Sequence, residues 1–249
     1  MKKTILLISF FTCFVLAIHA QTQTVVNTES PSFQIHAGVV LPMGDFGSGD
    51  IKKNSIDGKQ GFAGTGFNVG AKYYHPIASA KNLSLIFGLD IYYNGLNSDM
   101  KDWKDEMEND DTEVKLPAYM NIPLTAGVNY SYPINPNFDI YGEAVIGLNY
   151  SKMTKVKIET EEEYYGEYYS LEEETQYDPA FGFTFGLEAG ILINKKYSIS
   201  VRYNNLGSYN YKGKVTYTEN GEEESEKFNK AFDKKKSISN VTIALGINF

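Results

Sequence analysis

The sequence predicts an all-β protein: one eight-stranded antiparallel transmembrane β-barrel with long extracellular loops and short periplasmic turns. Three observations carry that prediction. Apolar residues recur at every second position in eight separate stretches, which is the period of a strand. The faces opposite them hold Gly and short polar residues. The connections between the stretches alternate long and short.

The first stretch carries Phe33, Ile35, Ala37, Val39, Leu41 and Met43 on one face, and the second Phe67, Val69, Ala71 and Tyr73. Leu83, Leu85, Phe87, Leu89, Ile91 and Tyr93 make the third, and Met120, Ile122, Leu124, Ala126, Val128, Tyr130 and Tyr132 the fourth. The fifth, with Ile140, Gly142, Ala144, Ile146, Leu148 and Tyr150, is the weakest, because Val145 falls on the other face. Phe181, Phe183, Phe185, Leu187, Ala189, Ile191 and Ile193 give the sixth, and Tyr197, Ile199, Val201 and Tyr203 the seventh. Val241, Ile243, Leu245, Ile247 and Phe249 end the chain as the eighth.

The opposite faces decide which kind of β protein this is. They hold Gly38, Gly66, Gly70, Gly88, Gly127, Gly147, Gly186 and Gly190, with His36, Asn68, Lys72, Asp90, Asn121, Glu143, Glu188 and Arg202 among the polar groups. A soluble sandwich would cover its polar face with long charged side chains. Gly and short polar groups suit a crowded, enclosed interior, so the apolar faces point outward into lipid and closure satisfies the backbone. Long connections at residues 44–60, 97–116, 155–178 and 212–236 alternate with short ones at 75–82, 133–137 and near Lys195. That asymmetry, and an even strand count with both chain ends on the periplasmic side, fit the same architecture. Asn220-Gly221 reads as a hairpin turn, so the last long loop, and with it the Tyr-rich loop, is expected to continue the barrel wall beyond the membrane.

Composition sets further bounds. The chain has 249 residues, 19 Tyr and 15 Phe, one Cys and a formal charge of −8. One thiol excludes a disulfide framework, and the acidic balance argues against nucleic acid as a partner. Lys2 and Lys3, an apolar run and small Ala20 before Gln21 predict a secretory signal peptide over residues 1–20, cleaved between Ala20 and Gln21. Its apolar run is shorter than the roughly 20 residues a transmembrane helix needs. Residues 21–32 then form an N-terminal periplasmic segment and residues 33–249 the barrel.

Three stretches resemble the small outer-membrane β-barrel proteins of Gram-negative bacteria, the OmpA transmembrane-domain and OmpX type of the porin family. They are Gly38-Val39-Val40-Leu41-Pro42-Met43-Gly44-Asp45-Phe46, Tyr119-Met120-Asn121-Ile122-Pro123-Leu124, and the alternating end from Val241 to terminal Phe249. The resemblance implies an outer-membrane location, lipid and lipopolysaccharide as surroundings, and recognition of Val241, Ile243, Leu245, Ile247 and Phe249 by the barrel-assembly machinery.

Two groups of residues are candidates for function. Glu188 and Arg202 are equidistant from Lys195, so a three-residue turn sets them opposite each other inside the barrel. An interior polar network joining them to Lys72, Asp90 and Glu143 is expected. Its simplest role is structural, since enclosed charges are costly unless paired; a polar plug or gate is the functional version. Eight strands leave room for little beyond side chains. The second candidate is the acidic Tyr-rich loop, with Tyr164, Tyr165, Tyr168 and Tyr169 as contact residues for an unknown extracellular partner. A solvated charged surface is its plainer reading.

No catalytic, cofactor or metal motif is present, and no EF-hand spacing. His36 and His75, the histidines beyond the signal, fall near periplasmic ends outside any nucleophile motif. The expectation is therefore a non-enzymatic protein with a structural or surface-interaction role through its loops. A narrow porin for small solutes is the alternative, followed by a lipid-modifying enzyme.

Overall fold

The structure is a computed structural model and describes residues 30–49, 60–164, 167–232 and 234–249. The proposed cleavage site at Ala20 and Gln21 lies outside the described residues. In chain order the elements are β1 (Ser32–Pro42), β2 (Ala63–Pro76), β3 (Leu83–Leu96), helix α1 (Ser98–Met107), β4 (Thr112–Lys115), β5 (Tyr119–Asn135), β6 (Phe138–Met153) and β7 (Val156–Tyr164). There follow β8 (Glu167–Tyr177), β9 (Ala180–Ile193), β10 (Tyr197–Tyr209), β11 (Gly213–Glu219), β12 (Glu222–Phe228) and β13 (Lys236–Asn248).

Eight of these strands close a barrel in the order β1-β13-β10-β9-β6-β5-β3-β2, with β2 returning to β1, every pair antiparallel. Closure is completed at the chain end: the Phe33 amide donates to the Phe249 carbonyl at 3.1 Å and the Phe249 amide to the Phe33 carbonyl at 2.8 Å. No edge is left unpaired, which is the condition for strands to cross a bilayer. Alternating side chains then divide sharply. Phe67, Leu89, Leu124, Ile146, Leu148, Phe183, Leu187, Ile243 and Leu245 form a continuous exposed belt around the outside. Such an apolar surface far exceeds what a water-soluble monomer exposes. Tyr73, Tyr130, Tyr132, Phe138, Tyr197 and Phe249 are exposed near the short-turn end, where an interfacial aromatic girdle belongs.

The short turns are tight. Ile193 pairs with Tyr197, leaving residues 194–196 as the β9–β10 turn, with Asn194 and Lys195 in the left-handed region at φ 52° and 56°. At the long-loop end five strands form a second sheet in the order β12-β11-β8-β7-β4. This order repeats that of β13-β10-β9-β6-β5 below it, so five of the eight barrel strands are prolonged while β1, β2 and β3 are not. β11 and β12 of the last long loop, β7 and β8 of the Tyr-rich loop, and β4 of the loop at 97–116 thus continue the wall on one side only and on a separate ladder. Asn220 and Gly221, at φ 49° and 88°, make the β11–β12 turn. The loop at 97–116 also holds α1, where Asn97 caps the helix by accepting from the Met100 amide at 3.2 Å.

Candidate functional site: a sealed lumen beneath a loop-end sheet

The middle of the lumen is filled by charge. Pairing of β9 with β10 sets Glu188 directly opposite Arg202, and pairing of β6 with β9 sets Glu143 opposite Glu188. Lys72, reaching across from β2, donates to Glu143 Oε2 at 2.6 Å and to Glu188 Oε2 at 2.7 Å. Arg202 is a second bridge: its Nε donates to Glu188, and its Nη1 donates to Asp90 Oδ1 and to the Tyr92 hydroxyl, both at 3.1 Å. Asp90 also accepts from Asn68 Nδ2 at 3.0 Å and contacts His36 Nε2 at 2.7 Å. Lys72, Asp90, Glu143, Glu188 and Arg202 are all buried. Three acidic and two basic side chains, each with at least two partners, satisfy the condition under which buried charge is tolerated.

Glycines make this packing possible. A Cβ on Gly70 would lie 2.8 Å from His36 Nε2 and closer still to the Asp90 carboxylate, so a larger residue there would push the charged groups apart. A cavity of about 10 Å³ beside these charges has room for about one water. Tyrosines close it from the short-turn side, where Tyr74 donates to Glu143 Oε1 at 2.8 Å and Tyr141 to Glu188 Oε1 at 3.0 Å.

Above the charges, toward the long loops, the lumen changes character. Asn149 Nδ2 donates to Asn121 Oδ1 at 2.9 Å, to the Leu206 carbonyl at 3.0 Å and to the Tyr209 hydroxyl at 2.9 Å. Asn204 donates to Asn240 at 3.0 Å. Val40, Phe46, Tyr119, Leu206, Tyr209, Tyr211 and Ile238 then form a buried apolar and aromatic cluster. The expectation of an interior of Gly and short polar groups around a charged network therefore holds at mid-height and fails at this end. There the pattern read from outward faces says nothing of rings pointing inward.

Tyr177, at the foot of β8, joins this cluster to the loop-end sheet: it stacks on Phe232 at 6.2 Å and meets Tyr211 and Phe228 edge-on. On the same face as Tyr177, cross-strand register places Val114 with Ile158, Val156 with Thr175 and Val215, and Ile158 with Glu173 and Tyr217. Leu171 and Tyr217 of that face are exposed. A cavity of about 530 Å³ lies at its base, lined by Met100, Trp103, Leu116, Tyr177 and Phe232 among others. The opposite face is ionic. Lys157 meets Glu159 at 2.8 Å and Glu172 at 3.1 Å, and Lys155 meets Glu174 at 2.6 Å. Hydrogen bonds from these lysines hold the Glu159 and Glu174 carboxyls below their ordinary values and raise that of Lys157.

Of the residues singled out from sequence, the structure thus brings Lys72, Asp90, Glu143, Glu188 and Arg202 into one cluster. Val241, Ile243, Leu245 and Ile247 lie on the outward face of β13, with Phe249 just beyond it. Tyr169 is exposed on β8, whereas Tyr165 and the side chains of Tyr164 and Tyr168 lie outside the described residues. Sequence reasoning placed His36 on the polar face but not in the network, and left out Tyr74, Tyr92 and Tyr141; all four bond directly to the cluster. The signal was available: each shares the strand parity of the lumen residues. His36 in particular, read as a histidine near the barrel end, contacts Asp90 and lies 3.5 Å from Arg202 Nη2.

An eight-stranded closed barrel with lipid-facing apolar residues and an ionic interior defines an integral outer-membrane protein. The chain belongs to the family of the outer membrane protein beta-barrel domain, whose model matches residues 10–249. It is accordingly a protein of the outer membrane. Among solved structures it is similar to Neisserial surface protein A (NspA), at 12% identity and a TM-score of 0.47 over 88% of this chain and 98% of that one. It is also similar to the attachment invasion locus protein Ail of Yersinia pestis, at 15% identity and a TM-score of 0.37 over 88% and 97%. OprG of Pseudomonas aeruginosa is a third, at 12% identity and a TM-score of 0.39 over 90% and 98%. No curated protein sequence matches the chain.

Proposed function

We propose that this is a non-enzymatic, non-conducting outer-membrane barrel that acts as a surface-interaction protein through its long-loop end, held outside the cell. One observation carries the reading: the lumen is closed by the Lys72, Arg202 and carboxylate layer, while five strands are carried past the barrel into a sheet with exposed Tyr169, Leu171 and Tyr217. Aromatic and apolar groups on a sheet rimmed by carboxylates suit a protein partner better than bulk water does. Secretion with cleavage between Ala20 and Gln21, a periplasmic segment at 21–32, and assembly through the terminal strand and the barrel-assembly machinery complete the proposal.

Purified barrel in a planar bilayer is expected to give no stable conductance, and reproducible ion-selective steps would favour the narrow-porin alternative instead. The orientation has its own test. Cys13 lies in the proposed signal, so the mature chain offers no thiol. Tyr217→Cys should then react with a membrane-impermeant maleimide on intact cells, and protection of that thiol until the cells are opened would overturn the outward placement. Turnover of labelled lipid by the purified barrel would overturn the non-enzymatic reading.

A further inference from the structure

The short-turn end of the barrel holds a cup that the sealed lumen does not explain. It has a volume of about 490 Å³, and its inner wall is formed by Tyr74, Tyr141 and Glu143, the underside of the charged layer. Glu143 is fully occupied, by Lys72 on one oxygen and by Tyr74 and Asn129 on the other. Asp139 is not. It lies four residues nearer the turn on the same inward face of β6, lines the cup and is 8% exposed, and among the described residues its carboxylate has no hydrogen-bond or ion-pair partner. Every other carboxylate buried in this lumen is paired at least twice. Lys195 lines the same cup without forming an ion pair with Asp139.

We infer that this cup binds a small hydroxylated ammonium ion, with Asp139 as the charge that selects it. The Asp139 carboxylate is unpaired by protein and borders the open cup, and a cation brought to it there gains a charge-assisted hydrogen bond. A primary ammonium carries three N–H donors, one for Asp139 and two for the neutral acceptors around it. Ser84, Asn129 and the two tyrosine hydroxyls supply hydrogen-bonding groups for hydroxyls on the ligand. The volume falls within the range of small-molecule sites. The chemistry of the cup is independent of the interaction role proposed above; only its periplasmic location rests on that orientation.

The experiment is a titration of the full-length mature barrel in detergent micelles with glucosamine, followed by amide chemical shifts of β5 and β6. Glucose, in which a hydroxyl replaces the ammonium, is the matched control. Saturable binding of glucosamine is expected, at least about tenfold tighter than that of glucose, because a charged hydrogen bond accounts for that factor. Asp139→Asn should remove the preference while heat-modifiable gel migration shows the barrel still folded, and Asp139→Glu should retain it. Lys195→Gln should leave binding intact or strengthen it. Equal binding of glucosamine and glucose, binding unchanged by Asp139→Asn, or no binding at millimolar ligand would each overturn the assignment. Because the measurement uses isolated barrel, its failure leaves the conductance and surface-labelling tests untouched.

Discussion

The same arrangement, one lysine between two glutamates, occurs twice in this molecule. Lys72 bridges Glu143 and Glu188 at 2.6 and 2.7 Å with all three side chains 2–4% exposed. Lys157 bridges Glu159 and Glu172 at 2.8 and 3.1 Å with 18–33% exposure. The distances are nearly alike, and the consequences differ. Within the lumen there is little room for water to replace a lost partner, so each ion depends on the others; on the loop-end sheet water and salt screen the pair and little depends on it. The lumen charges are therefore interdependent, whereas those of the sheet above can rearrange in water at little cost.

The largest effect is expected from removing the shared cation. Lys72→Met leaves Glu143 and Glu188 facing each other without it, and should destabilise the barrel by about 3–5 kcal/mol in urea unfolding from lipid vesicles. Lys157→Met should not change that transition measurably, and equal losses at the two sites would break the comparison. Next comes Arg202→Lys. A single ammonium cannot reproduce the guanidinium fork that reaches Glu188, Asp90 and Tyr92 together, and the loss of one such charged bond should cost about 1.5–3 kcal/mol.

A change of pH should separate the two regions more gently. Glu159 and Glu174 have lowered values in the folded sheet, so their contribution is present above the ordinary glutamate value and is lost as pH falls through the folded one. Lys157, raised by its glutamates, contributes below the ordinary lysine value and loses that contribution as pH rises through its higher folded value. Below about pH 4, the protection of the β7 and β8 amides relative to unstructured chain at the same pH should fall while that of the β9 and β10 amides is kept. The smallest effect on the fold is expected from Leu171→Ser with Tyr217→Ser, which should shift barrel stability by less than about 0.5 kcal/mol. The same pair should abolish any surface interaction.

Much of this was legible in the sequence because a strand carries its own period. Alternation alone assigned Lys72, Asp90, Glu143, Glu188 and Arg202 to the lumen, and the symmetry of a turn centred on Lys195 set Glu188 against Arg202. Tyr74, Tyr92 and Tyr141 obey the same parity, yet parity alone does not say that a tyrosine reaches a buried charge. A ring is long enough to lie inward and offer only its hydroxyl to a carboxylate, which composition does not reveal. The loop-end sheet was harder for a different reason. Its strands are so acidic that their alternation is masked, and only Asn220-Gly221 pointed to a hairpin.

By itself the sequence determined that strands form, which face of each meets lipid, and how neighbours joined by short turns are aligned, since each follows from period and local turn geometry. Only the tertiary structure decided the partners across the lumen. Lys72 meets Glu188 and Arg202 meets Asp90 across more than a hundred residues of chain. Those meetings depend on the stagger at which β1 closes on β13, and on the small volume that closure leaves. The unpaired Asp139 was decided there too: the same closure that gives Glu143 its three partners brings none to the carboxylate two inward positions nearer the turn.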